Sequence, residues 1–255
     1  MILIDTHTHI YLPEFDIDRD EVIKRAVGSG VVKLLMPNID VHSVDLMLSA
    51  EARFPGICHS MIGLHPTSVK EDYLTQLDKF EELYTSHKFI AIGEIGIDLF
   101  WNKAFLKEQL SAFRRQIAFA IDKGLPVVIH SRDSFPEVFS VLDEFEGRGL
   151  KGVLHAFAGN DKDAERAIRM GLKLGIGGIV TFKNSGLDNT VKAIGPENLI
   201  LETDSPYLAP APHRGKRNES SYICIINKKL AEIFGMREEE VASIIFANSA
   251  RLFNL

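Results

Sequence analysis

Asp5-Thr6-His7-Thr8-His9 places two imidazoles two residues apart, directly after an apolar run. On a β-strand alternate residues share a face, so both rings point the same way. Further along come His65 in GLHP, Glu94 and Asp98 in GEIGID, and His130 in VVIHSR. His155 follows in VLHAF, then Glu202 and Asp204 in LETDSPYL. Imidazole and carboxylate are ligands for divalent cations. His7 and His9 reach one ion together, and Asp204 completes that set. Glu94, with two carboxylate oxygens, bridges to a second ion held by His130 and His155. Four histidines and two carboxylates exceed one four-coordinate site, so a two-metal centre with ions about 3.5–4 Å apart is expected. Such a centre lowers the pKa of a bound water towards ~7 and clamps the oxygens of a phosphoryl or carbonyl group, which is hydrolytic chemistry. Asp204 either only ligates, or caps the next segment, or also takes the proton from the attacking water. A lone buried histidine is ordinarily a core residue satisfied by a backbone carbonyl. Five of the nine histidines fall in these motifs, and that gathering favours metal over core.

The elements that carry these residues alternate. Short β-branched runs predict strands over Met1–Thr6, Val31–Pro37, Ile57–Gly63, Phe89–Glu94, Leu125–Ser131, Gly152–Ala156, Leu172–Ile176 and Asn198–Thr203. Between them lie apolar residues at spacings of three and four, as at Phe105-Leu106, Leu110, Phe113, Ile117 and Phe119-Ala120, and at Ala164, Ala167-Ile168 and Gly171. Strand–helix alternation predicts parallel βαβ units. Eight of them fit an α/β chain folded as a (β/α)8 TIM barrel, a single domain over residues 1–255, with its chemistry at the C-terminal ends of the strands. An open doubly wound sheet is the competing architecture, but the first strand-to-helix turn carries no G-x-G-x-x-G. The late Gly175–Gly178 run lacks that spacing and reads as close packing or a loop near the site.

Composition narrows the classes. With 45% hydrophobic and 25% charged residues, the chain can bury a sizeable core. A net charge of −6 argues against a general nucleic-acid-binding surface, though not against a local basic patch. No stretch reads as a signal peptide or reaches the ~20 apolar residues of a membrane span. Cys58 and Cys224 match no metal spacing. A reducing, cytoplasmic setting is expected, with no membrane association and no obligate protein partner.

The combination DTHTH, GLHP, GEIGID, IHSR, HAF, ETDSPYL, APHRGKRNES and NSARLF resembles the TatD family of metal-dependent DNases, TIM-barrel relatives of the amidohydrolases. It runs from Ile4 to Phe253. DTHTH alone is common among amidohydrolases; ETDSPYL followed by HRGKRN is far more specific. The resemblance implies a deoxyribonuclease with 3′–5′ exonuclease action, using two divalent ions (Mg, Mn or Zn). It places the metal ligands on His7, His9, Glu94, His130, His155 and Asp204, with Glu94 and Asp204 catalytic, and it puts His65 and Glu202 near the substrate. Many members have HCFSG where this chain has His155-Ala156-Phe157-Ala158-Gly159, which keeps the histidine and lacks the loop serine.

His213, Arg214, Lys216 and Arg217 follow Asp204 closely enough to reach the barrel mouth and fit phosphate contacts. Arg132 is a second candidate. Tyr207, Phe100 and Trp101 are residues that stack on unpaired bases, or that pack against loops. A basic rim on an acidic chain suits single-stranded DNA or 3′ ends better than long duplex. The alternative is an amidohydrolase-type enzyme acting on a small amide or phosphoester. Related amidohydrolases often bridge their metals with a carboxylated lysine, where this chain has Glu94, and a small neutral substrate does not need HRGKRN. A non-catalytic scaffold is a third class, disfavoured by the complete set of six ligands.

Overall fold

The computed structural model describes residues 1–101 and 103–255. Among the described residues the strands are β1 (Leu3–Asp5), β2 (Val31–Pro37), β3 (Cys58–Met61), β4 (Ile92–Asp98), β5 (Val127–Arg132), β6 (Gly152–Leu154), β7 (Leu172–Ile176) and β8 (Leu199–Leu201). The helices are α1 (Arg19–Gly28), α2 (Val44–Arg53), α3 (Tyr73–Ser86), α4 (Leu106–Lys123), α5 (Phe135–Asp143), α6 (Asp161–Arg169), α7 (Leu187–Ile194), α8 (Ile223–Phe234) and α9 (Glu238–Phe253). Every strand pairing is parallel, in the runs β1-β2-β3 and β4-β5-β6-β7-β8. Two isolated bridges join the runs, Ile62 with Ile92 and Thr8 with Ser205. Thr6 N–H donates to Leu201 O at 3.1 Å and Asp204 N–H to His7 O at 2.9 Å. These bonds close a TIM-barrel-like ring.

Alternation along the strands sorts the core into two layers. Leu34 and Met36 of β2, and Val127 and Ile129 of β5, pack outward against the helices. Leu35 and Val128 belong instead to an inner cluster with Ile4, Met61, Ala91, Val153, Ile200 and Phe253. That parity is a consequence of the pleat. It puts His130, two residues beyond Val128, on the inner face, and His155 likewise beyond Val153.

Several strands are shorter than the sequence reading, and the departures at β1 and β4 bear on the site. β1 ends at Asp5, so His7 and His9 do not share a regular strand. Their convergence is set by the Thr8–Ser205 bridge and by His9 N–H donating to Ser205 O at 2.8 Å. β4 begins at Ile92, not Phe89, and runs to Asp98, so Glu94 lies inside it. The pairing with β5 slips between Ile92 and Ile95. Both isoleucines consequently face the outer core, and Glu94 between them turns inward. Gly93 and Gly96 are strand residues for a steric reason: a side-chain carbon at Gly93 would meet Val128, and one at Gly96 would meet His130 O.

Candidate metal centre

Glu94 is buried at the centre of the strand ends. Its Oε2 lies 3.2 Å from His7 Nε2 and 3.8 Å from His9 Nε2. Its Oε1 lies 2.9 Å from His130 Nδ1, 3.4 Å from His65 Nε2 and 3.8 Å from His155 Nε2. Each oxygen therefore addresses a different set of imidazoles. His7 Nε2 and His9 Nε2 face one another at 3.3 Å, and His7 stacks on His155 with ring centroids 3.4 Å apart. Asp204 Oδ1 is 3.6 Å from the Nε2 atoms of His7, His9 and His155. Among the described residues, three trios can hold an ion: His7-His9-Glu94, His7-His155-Asp204 and His65-Glu94-His130. Nitrogen and carboxylate donors converging on shared points are the donor set of a divalent ion, so the residues present fit metal.

His130 and His155, expected from sequence to share an ion, both face Glu94 Oε1, at 2.9 and 3.8 Å. His155 also stacks on His7 and groups with it and Asp204, and His65 stands beside His130.

The surrounding groups orient the ligands. Tyr11 hydroxyl donates to Pro37 O at 2.6 Å, so it accepts from His9 Nδ1 at 3.0 Å and leaves the His9 Nε2 lone pair facing the site. Glu202 Oε1 sits 3.0 Å from His155 Nδ1 and accepts Ala156 N–H at 2.5 Å. Glu202 fits only because Gly175 has no side chain; a Cβ there would collide with its carboxylate. The Gly175–Gly178 run is thus close packing at the site. Asp98 Oδ2 meets His130 Nε2 at 2.9 Å. Asp5 accepts from Thr203 N–H at 2.9 Å and Thr203 Oγ1 at 2.6 Å, tying the end of β1 to the end of β8. Ala156 and Asp204 adopt φ of 45° and 58°, a sparsely populated region for residues with side chains, each beside or at a metal-facing group.

Electrostatics separate the imidazoles. Burial drives His7 well below the ordinary histidine value and His9 down to about 4, keeping both neutral as ligands must be. Burial also lowers His130, but its bonds to Asp98 and Glu94 outweigh this and raise it to about 9. His155 is likewise opposed by burial, yet the charges of Glu202, Glu94 and Asp204 lift it to about 10. Burial acts to raise Glu94, and the charges of His65, His7 and His155 overcome it and hold the carboxyl well below its ordinary value. Burial pushes Asp204 up to about 7 against the pull of His155.

The cluster opens into a cleft of about 620 Å³. His9, His65, Glu94, His130, His155 and Asp204 line it, with Asp98, Trp101, Arg132 and Tyr207 at its sides. The basic loop does not line it. Arg217 pairs with Asp18 at 2.6 Å and donates to Glu14 O at 2.7 Å. Arg214 lies over the Phe182 ring, and His213 stacks on Tyr222. Lys216 N–H donates to His213 O within the loop. Asn218, in sequence only a part of the basic run, is the buried anchor of this loop, donating to Thr203 O and Tyr207 O. Tyr11 is a site residue that sequence reasoning misses; its position two residues after His9 is the one available signal.

Comparison with known proteins adds a lineage. Residues 4–254 match the family model described as TatD related DNase. The chain is 36% identical to the uncharacterized metal-dependent hydrolase YabD of Bacillus subtilis (strain 168), over the full length of both. It is 31% identical to the 3′-5′ ssDNA/RNA exonuclease TatD of Pectobacterium parmentieri (strain WPP163), covering 99% of this chain and all of that protein. In three dimensions it superposes on the crystal structure of YJJV, a TatD homolog from Escherichia coli K12. The TM-score is 0.93 at 28% identity, covering 99% of this chain and 98% of the other.

Proposed function

The chain belongs to the TatD-related DNase family, and from that premise we propose that this metal-dependent hydrolase cleaves the phosphodiester bonds of single-stranded DNA, removing nucleotides from the 3′ end. The observation that carries the reading is Glu94, whose two oxygens face two sets of imidazoles. Glu94 would be shared between two ions, with His7, His9 and Asp204 on one side and His130 and His155, beside His65, on the other. Bound Mg²⁺, Mn²⁺ or Zn²⁺ would supply Lewis-acid stabilisation of the phosphoryl oxygens and an acidified water.

The chain's own groups do the rest. Asp204, whose carboxylate faces the imidazole cluster and lines the cleft, is suited to accept the proton of the attacking water. Glu202 fixes the orientation of His155. His65 and Arg132, both on the cleft, contact the phosphate, and Tyr207 contacts the nucleoside. His213, Arg214, Lys216 and Arg217 lie outside the cleft lining and act on strand beyond the scissile bond. The likeness to the Pectobacterium exonuclease supports DNA or RNA ends as substrate. Two free cysteines, Cys58 and Cys224, support a cytoplasmic setting.

One observation favours a second reading, hydrolysis of a small amide or phosphoester: the firm cations of the basic loop stand away from the cleft. The test is chelator-stripped protein supplied in turn with each ion and offered single-stranded DNA beside a panel of small amides and phosphoesters. Metal-restored DNA hydrolysis supports the nuclease. Turnover of small substrates alone replaces it with the second reading.

A further inference from the structure

Among the described residues, the exposed large aromatic side chains are Phe100 (52% exposed), Trp101 (67%) and Tyr207 (48%). Trp101 and Tyr207 line the metal cleft and Phe100 packs against Trp101, on segments following β4 and β8. In the ring β4 and β8 lie opposite one another, since β8 closes on β1 and three further strands lead to β4. Glu94 comes from one side and Asp204 from the other, so the metal centre lies between two aromatic walls.

The β4 wall is built outward rather than packed down. Asp98 Oδ1 accepts the amides of Phe100 at 3.0 Å and Trp101 at 2.9 Å, a local turn that leaves both rings outside the core. The same carboxylate holds His130 through its other oxygen. Phe100 meets Trp101 edge-on at 5.0 Å, and the Arg132 guanidinium lies 4.0 Å over Phe100 and 5.5 Å from Trp101. Phe100 and Arg132 thus brace Trp101, whose exposure leaves an apolar face open to solvent beside a cation. Large exposed aromatic surface gathered at one cleft marks a ligand-binding face.

We propose that Trp101, braced by Phe100 and Arg132, and Tyr207 on the facing wall seat the two unpaired bases on either side of the phosphodiester at the metal centre. This rests on the nuclease reading and adds its selectivity. A stacked base pair offers no free faces to two opposed walls, whereas every unpaired base offers one. A cleft of about 620 Å³ is the size of a small-ligand site. It takes the end of one strand and not a duplex.

Trp101 is the sole tryptophan, so its emission reports this wall directly. The experiment titrates the metal-loaded full chain with a short phosphorothioate oligodeoxythymidylate, and with an abasic strand of equal length and charge. The proposal expects saturable quenching by the first and none by the second. On ordinary single-stranded DNA, Trp101→Ala raises KM about 5- to 100-fold, the loss of one base stack, with kcat little changed. Trp101→Phe restores KM. Equal emission changes with both strands, or an unchanged KM in Trp101→Ala, overturns the seat. DNA hydrolysis without quenching removes the seat and keeps the nuclease; quenching without hydrolysis keeps the seat and removes the nuclease.

Discussion

Glu94 is the residue on which the two halves of the site depend. Glu94→Ala leaves His7 and His9 on one side and His130 on the other with no shared anion. Hydrolysis should fall by about a thousandfold or more, several kcal/mol of barrier, while circular dichroism stays that of the wild type. Near wild-type rates would dismiss the shared carboxylate. Gly175→Ala is a subtler probe. The added carbon drives into Glu202, which orients His155. Metal affinity should drop about 10- to 100-fold by equilibrium dialysis, the usual cost of losing an outer support. The metal-facing side chains are legible in sequence because histidine is uncommon and its motifs recur at strand ends. Tyr11 and Asp5 are not, since an ordinary tyrosine or aspartate announces no role until its partners, Pro37 O and Thr203, are in place.

β4 shows why element boundaries are harder to read. GEIGID has two glycines, and the strand expected over Phe89–Glu94 stops inside it. Only the packing of Gly93 on Val128 and Gly96 on His130 O reveals a strand, and only the slip between Ile92 and Ile95 turns Glu94 inward. The basic loop after β8 is the converse case. Its charges are legible, but their partners lie far away in sequence, Arg217 on Asp18 and Arg214 on Phe182. Replacing Arg214 and Lys216 together should therefore weaken single-strand binding and reduce the salt slope by about 0.7 for each phosphate left without its cation. An unchanged slope would place the phosphate track elsewhere. The loop's far end is fixed to α1 by Glu219, which takes a forked pair of bonds from Arg25. Burial tends to raise the Glu219 carboxyl, but Arg25 and Ser221 bonds pull it below its ordinary 4.5. Its stabilising contribution is present above pH 4.5 and disappears as pH falls through the lower folded value. Glu219→Gln should cost about 1 kcal/mol at neutral pH, Arg25 being half exposed. The urea stabilities of the two proteins should converge in acid; a constant gap across pH would contradict the pair.

The barrel as a whole gathers its polar chemistry at one end. Imidazoles and carboxylates crowd there, inside an otherwise apolar shell. No helix among the described residues is long and apolar enough to cross a membrane. Ions that bind only the folded chain stabilise it by linkage, about 2.7 kcal/mol at a hundredfold excess over Kd. The melting temperature should rise with added divalent ion and fall with chelator. A melting temperature indifferent to both would mean that the cluster holds no ion. The most direct measurement follows single-stranded DNA labelled at the 5′ end, incubated with stripped protein with and without Mg²⁺, Mn²⁺ or Zn²⁺. A metal-dependent ladder of progressively shortened labelled strands, lost in Asp204→Asn, is the predicted result. No cleavage with any ion, in protein shown by dialysis to bind two, would contradict it.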